Sequence, residues 1–551
     1  VVGGFDGAIM PVNPKYDTLD RLTVYHSVSE LPSAPDLAII CTPPATVPGL
    51  IHELGERGTR AAIVLTAGLS AVKNAAGQTL KQAMLDAAKP YLLRILGPNC
   101  VGLLVPKIGL NASFAHTGAL PGKIAFVSQS GALVTGILDW AKTRGIGFSK
   151  FVSLGDKADV DFGDVLDYLA SDPDTKAILL YIEDLQAARK FMSAARAAAR
   201  SKPDLVLKAG RAPEGAKAAA SHTGALAGSD AVYDAAIRRA GMLRVLTTKD
   251  LFDAVETLAH TRPVTGDRLV IMTNGGGPGV MATDALIDQH GNLATLSDET
   301  LRKLNELLPA TWSHGNPVDI IGDAPADRYV HTLEVLLAGK ESDAILFIHA
   351  PSAIVPSSDI AIAVAPIAKN AGKNILACWL GGESVAQARS TFSDAGIPTY
   401  DTPEDAIRGF MQIVQYRRNQ ELLMEAQPSA SGEMVSDSAR ARKIAQDVLA
   451  DGRSMLSEAE AKNLLAAYGI PVIETAVAHS VDEAVQLGEK IGFPVAIKIL
   501  SEDVTHKSDV GGVALDLETP DALRLAAQAM QKRVKDLLPA AEGAALWSEF
   551  D

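Results

Sequence analysis

The chain has 551 residues, 47% of them hydrophobic, 21% charged and 5% aromatic, with a net charge of −14. That length carries three or four domains, each able to bury a core of its own. The acidic balance argues against general nucleic-acid binding, so an anionic ligand has to be held locally, by helix N-termini and single Lys or Arg residues.

Residues 1–118 alternate apolar runs with helical stretches. The runs at 37–41 (LAIIC), 61–65 (AAIVL) and 95–96 are expected to be parallel strands buried on both faces. Each ends in a turn: Thr42-Pro43-Pro44, Thr66-Ala67-Gly68 and Gly97-Pro98-Asn99-Cys100. In an open parallel sheet the ligand crevice lies at these strand ends, although any single turn reads equally well as a plain loop.

Residues 119–262 form a second strand–helix set. A strand at 123–130 (KIAFVSQS) runs into Gly131, and a helix follows with Leu133, Ile137 and Trp140 on one face. Ser128-Gln129-Ser130-Gly131 combines free backbone N–H groups, hydroxyls and the positive end of a helix, which makes an anion cradle. The strand at 177–182 (AILLYI) is followed by Glu183, and the strand at 205–208 by the loop AAASHTGALAGSD, residues 218–230. That loop has little side-chain area to bury. It offers one nucleophilic imidazole, His222, on a backbone that permits close approach. Taken alone, such a histidine is more often a cap or a space-filler.

Residues 263–425 repeat the theme, with a strand at 269–272, a turn at 273–279 (TNGGGPG) and a helix expected from Val280. Runs at 344–349 and 374–379 are later strands, and TWSHGNP at 311–317 is placed near a domain junction. Residues 426–455 read as a linker. In 456–551 a helix at 457–468 precedes a strand, FPVAIKI, whose Lys498 calls for an anionic partner. A polar loop, THKSDVGGV, follows at 505–513 and carries His506.

Two histidines in small or glycine-flanked loops, two glycine-rich helix starts and an acid at a strand end form a coherent set, without Ser/His/Asp or metal-ligand spacing. A buried phosphohistidine needs these parts. Helix N-termini can hold its phosphoryl oxygens without extra cations. The Glu183 carboxylate would bond the second ring nitrogen of His222 and fix its tautomer. Positioning and charge stabilisation are most of what phosphoryl transfer requires.

With SHTGALAG, HKSDVGGV, NPKY, TPP, LGPNC, VSQSGAL and NGGGPG all present, the chain resembles the NDP-forming acyl-CoA synthetases over essentially its whole length. These are the acetate–CoA ligases (ADP-forming), relatives of succinyl-CoA synthetase. The resemblance implies an α/β architecture: a Rossmann-like CoA-binding domain (1–118), two flavodoxin-like parallel-sheet domains (119–262 and 263–425) and the start of an ATP-grasp domain (456–551). It implies CoA, ATP or ADP and Mg2+, and interconversion of carboxylic acid, CoA and ATP with acyl-CoA, ADP and phosphate through an acyl phosphate. His222 is then the phosphoryl carrier, Glu183 its orienting carboxylate and His506 the relay to the nucleotide. Ser130, Gly131, Gly276 and Gly277 would cradle phosphate. Asn13, Lys15, Thr42, Pro43 and Asn99 would bind CoA, and Lys498 the nucleotide phosphates.

The chain begins at Val1 and ends in what reads as a strand, so it is read as cut at both ends, with the first strand of the CoA domain and the magnesium carboxylates expected outside it. Three dispersed cysteines without CxxC spacing, no bilayer-length apolar run and no signal peptide give a cytoplasmic expectation without nucleic-acid or membrane partners. A phosphate site shared by two domains is compatible with a homodimer. The competing reading is a regulatory CoA- or acyl-CoA-sensing module of a GNAT-fused acetyltransferase. Such relatives often lack the phosphohistidine, whereas His222, Glu183 and His506 are all present in this chain. A nicotinamide-dependent Rossmann enzyme is disfavoured because the first domain has no GxGxxG with a ribose-binding acid.

Overall fold

Continuous apolar runs become the strands of three mainly parallel sheets, because a strand covered on both faces has no side left for polar residues. The computed structural model describes residues 4–215, 217, 229–425, 437–500, 511–537 and 545–550, with backbone alone at 500, 534–537 and 545–550. The chain divides into two compact units, 1–425 and 426–551.

The first sheet holds Leu37–Ile40, Ala61–Val64 and Arg94–Leu96, all parallel and in chain order. Helices Val47–Glu56 and Leu80–Ala88 cover it, burying Ile51, Leu54, Leu80 and Met84. The second sheet has seven strands in the order Leu243–Val245, Asp204–Lys208, Ala177–Ile182, Leu120–Ser128, Gly147–Ser153, Gly102–Val105 and Leu110–Ser113. The last two fall within residues 1–118, the stretch expected to form the first domain, yet they extend this sheet antiparallel. Leu104 and Ala112 are buried in the cores of the second sheet, which explains the allegiance.

The strand expected at 123–130 runs instead from Leu120 to Ser128. Gln129 and Ser130 leave the ladder because Ser130 caps the helix Gly131–Thr143, its Oγ accepting the Leu133 N–H at 3.4 Å. That helix buries Val134, Ile137, Leu138 and Ala141, while Leu133 and Trp140 are only partly covered.

The third sheet places Asn292–Leu293, Arg268–Thr273, Ala344–His349, Asn374–Trp379 and Thr399–Tyr400 side by side, with Val318–Asp319 also on Arg268–Thr273. The TWSHGNP segment is stitched onto it: Asn316 accepts the Ile271 N–H and donates to the Leu269 and Ala294 carbonyls. The helix expected from Val280 begins four residues earlier and spans Gly276–Asp288. Weak helix propensity of glycine hides that start. Pro278 is tolerated because N–H groups of a first turn have no intrahelical partner to lose.

The second unit is an antiparallel sheet, Thr475–Ala478, Ala545–Phe550, Val495–Leu500 and Val513–Leu517 in that order. Within the stretch read as a linker, Ser438–Ala450 is helical, capped by the Asp437 side chain accepting the Arg440 N–H at 2.9 Å. Its Ala, Arg, Lys and Leu content favours that outcome. No helix among the described residues is long and apolar enough to cross a membrane.

Candidate functional site

Three neighbouring strands of the second sheet, Asp204–Lys208, Ala177–Ile182 and Leu120–Ser128, end side by side. Gln129 ties together the turns at two of these ends. Its Oε1 accepts the N–H groups of Glu183 and Asp184 at 3.0 and 3.1 Å, and its Nε2 donates to Asp184 Oδ1. One carboxamide therefore fixes the Glu183 turn against the Ser130-Gly131 turn. Glu183 is half-buried.

Asp184 is buried beneath this turn and accepts Lys157 Nζ at 2.7 Å. Burial pushes its carboxyl up, but the Lys157 ammonium and the Gln129 amide outweigh burial and hold it below the usual carboxylate range.

Lys157 belongs to a segment clamped onto the first sheet. Asp156 N donates to Pro98 O, Ala158 N to Gly97 O and Val160 N to Ile95 O, at 2.9, 3.0 and 3.1 Å. Gly155 has φ +58°, and a Cβ there would lie 2.3 Å from Pro98 O, so only glycine allows this approach. Asn99 donates from Nδ2 to Asp156 Oδ1 at 3.1 Å and from its backbone to Thr66 O. Thr66 Oγ1 donates in turn to Thr42 O at 2.7 Å. Hydrogen bonds and short chain segments thus run from Thr42 through Asn99 and Lys157 to Gln129 and Glu183.

Pro43 is exposed beside this path. Asn13 and Lys15 are apart from it: Asn13 Oδ1 accepts the Lys15 N–H and Asn13 N donates to Tyr25 O. Cys100, in the same turn as Asn99, is buried with its thiol directed at Val64 O, and burial pushes that thiol up to about 12.

Gly276 and Gly277 lie at the start of their helix, both exposed. Its cap is backbone, Gly275, whose N–H is accepted by Thr273 Oγ1 at 3.1 Å. A Cβ on Gly277 would meet nothing within 4 Å, while one on Gly276 would lie 3.4 Å from Asp319 Oδ2. This helix end is open but has a carboxylate beside it. In the second unit Lys498 Nζ lies 3.3 Å from Glu458 Oε1. His222 and His506 lie outside the described residues.

From the sequence, Gln129 stands out only as part of a turn, and Lys157, Asp184 and Lys208 pass unnoticed. The acid pair Glu183-Asp184 at a strand end is the one local signal; Lys157 comes from another element.

Family models match along the chain: a CoA binding domain at 5–106, a succinyl-CoA ligase like flavodoxin domain at 121–258, a ligase-CoA domain at 269–421 and an ATP-grasp domain at 447–546. An acetate–CoA ligase (ADP-forming) of Archaeoglobus fulgidus is 40% identical over 94% of this chain and 74% of its own length. The chain belongs to the ADP-forming acetate–CoA ligase family. A 4-hydroxybutyrate–CoA ligase (ADP-forming) of Nitrosopumilus maritimus is 35% identical over 97% of this chain and 76% of its own. Among solved structures, an acetyl-coenzyme A synthetase of Ca. Korarchaeum cryptofilum in complex with phosphate and ADP superposes with a TM-score of 0.70 at 35% identity, covering 78% of this chain and 92% of that one. These relatives are ligases and synthetases, and none supports the acetyltransferase-fused sensor.

Proposed function

We propose that the protein interconverts a carboxylic acid, CoA and ATP with acyl-CoA, ADP and phosphate. Phosphate attacks the thioester carbonyl and releases CoA, giving an acyl phosphate. The His222 imidazole takes the phosphoryl group and frees the acid. The group then passes to ADP, with His506 as the relay.

In this reading Glu183 accepts the second ring N–H of His222 and stabilises the positive charge that develops on attack. Ser130, Gly131, Gly276 and Gly277 present helix N–H groups to the phosphoryl oxygens. Thr42, Pro43 and Asn99, with Asn13 and Lys15, hold CoA, and Lys498 meets the nucleotide phosphates. The observation that carries the reading is the Gln129 carboxamide, which holds an acid and a helix N-terminus at one crevice, joined by hydrogen bonds to the Asn99 turn.

The domain division at 118, 262 and 425, a cytoplasmic location and a homodimer belong to the same proposal. Among the described residues no group of three or more His, Cys, Asp or Glu is placed to hold a metal ion. Magnesium therefore has no ligand assigned in this chain and no step is drawn through it.

The test uses labelled phosphate and acyl-CoAs without nucleotide. Acetyl-CoA and 4-hydroxybutyryl-CoA head the panel, because the named relatives are ligases of those acids. Acid-labile, base-stable label on the protein, lost in His222→Ala, is the expected result. Absence of label across the panel overturns the reading.

A further inference from the structure

Among the described residues three lysines are buried: Lys150, Lys157 and Lys208. Lys150 pairs with Asp172 at 2.9 Å and Lys157 with Asp184 at 2.7 Å. Lys208 has no such carboxylate among the described residues. Its Nζ donates to the Ala209 carbonyl and lies 4.5 Å from the centre of the Tyr233 ring. An ammonium has three donors; one is used on a carbonyl and the aromatic face supplies only a diffuse attraction. Burying a cation in this state is costly unless an anion arrives.

The location says which anion. Lys208 ends its strand directly beside Ile182, the residue before Glu183. The Tyr233 hydroxyl accepts the Leu185 N–H at 3.2 Å, so the ring under the ammonium is fixed to the same turn that carries Glu183. We propose that Lys208 holds an oxygen of inorganic phosphate, or of the acyl phosphate formed from it, at this crevice. The inference rests on the phosphoryl-transfer function proposed above. It departs from the expectation that helix N-termini serve without added cations.

The charges around Lys208 are consistent with a vacant donor. Glu183 and Asp184 approach from the neighbouring strand, Asp230 from the helix Asp230–Arg239, and Arg244 from the strand on the far side. Arg244 is already engaged by Asp230 and Asp234, at 2.6 and 3.2 Å. Lys157 lies beyond Asp184 and is spent on it. Burial moves the Lys208 ammonium below the usual lysine range, with Asp230 the main offset.

The experiment follows phosphohistidine formation from acyl-CoA and labelled phosphate in wild type, Lys208→Met and Lys208→Arg. Lys208→Met is expected to raise the KM for phosphate about 10- to 100-fold, the worth of one charge-assisted hydrogen bond, with the KM for acyl-CoA unchanged. Wild type should lose phosphate affinity at alkaline pH as the lysine deprotonates. Lys208→Arg should recover part of the affinity and lack that alkaline limb, because arginine stays charged. An unchanged KM for phosphate in folded Lys208→Met overturns the inference while leaving wild-type labelling intact. If circular dichroism shows Lys208→Met unfolded, the pH profiles decide: the same alkaline limb in wild type and Lys208→Arg overturns it. No label in wild type overturns the proposed function and this inference with it.

Discussion

Two buried aspartates of the second sheet have opposite fates. Asp184 lies just past the C-terminal end of the Ala177–Ile182 strand, where Lys157 and Gln129 both donate to it. Asp204 opens the adjacent strand at the other end of the sheet, paired in register with Ile178, and among the described residues neither of its carboxylate oxygens has a hydrogen-bond partner. Burial raises the Asp204 carboxyl well above the usual range, with Lys202 a small offset, whereas the donors around Asp184 reverse the effect of burial. Burial of an acid therefore does not mark a site. What sets Asp184 apart from Asp204 is its place: Lys157 and Gln129 satisfy it in the turn that carries Glu183, while Asp204, at the opposite strand end, has no donor among the described residues.

The harshest way to break this contrast is Lys157→Met. It strips Asp184 of its cation while leaving the carboxylate buried, at an expected cost of about 3–5 kcal/mol. Urea denaturation should show the full deficit at neutral pH. The deficit should shrink as pH falls through the carboxylate range, because the folded Asp184 is held low and its stabilisation is lost on protonation.

Asp204→Asn tests the opposite sign and a smaller effect. A raised acid favours the folded state at low pH and penalises it as pH rises above the unfolded value of about 4. The variant should match wild type near pH 4 and exceed it by about 1–3 kcal/mol above neutrality. A stability gap independent of pH would show that Asp204 is not a buried neutral acid.

The smallest effects compare the two helix starts. Gly277→Ala enters open space and should leave stability unchanged or raise it by up to about 1 kcal/mol. Gly131→Ala places its Cβ 3.1 Å from Val101 Cγ2, so some of that gain should be lost to the close contact. If phosphate is held at both starts, both variants label more slowly despite near-wild-type melting.

The sequence disclosed what fully buried parallel strands must disclose. The runs 177–182, 344–349 and 374–379 match the observed strands residue for residue, since little that is polar interrupts them. It misled where local chemistry is weak or concealed. The helix at Gly276 starts on residues that disfavour helix, and the strand expected at 205–208 begins at Asp204, an acid that no apolar pattern would place in a core. Within the site, Ser130, Gly131 and Glu183 were readable from their places after strands. Lys157 was not, because its partner Asp184 is 27 residues away and reaches it only through the fold.

Cys100 has a consequence of its own. On the proposed assignment a thioester is handled beside Asn99, and a second sulfur so near would compete for the acyl group. The buried thiol is held protonated at any working pH, and thiols attack carbonyls as thiolates. The protein can thus keep a sulfur in its packing next to a reactive ester without becoming acylated itself, a form of chemical privacy secured by burial.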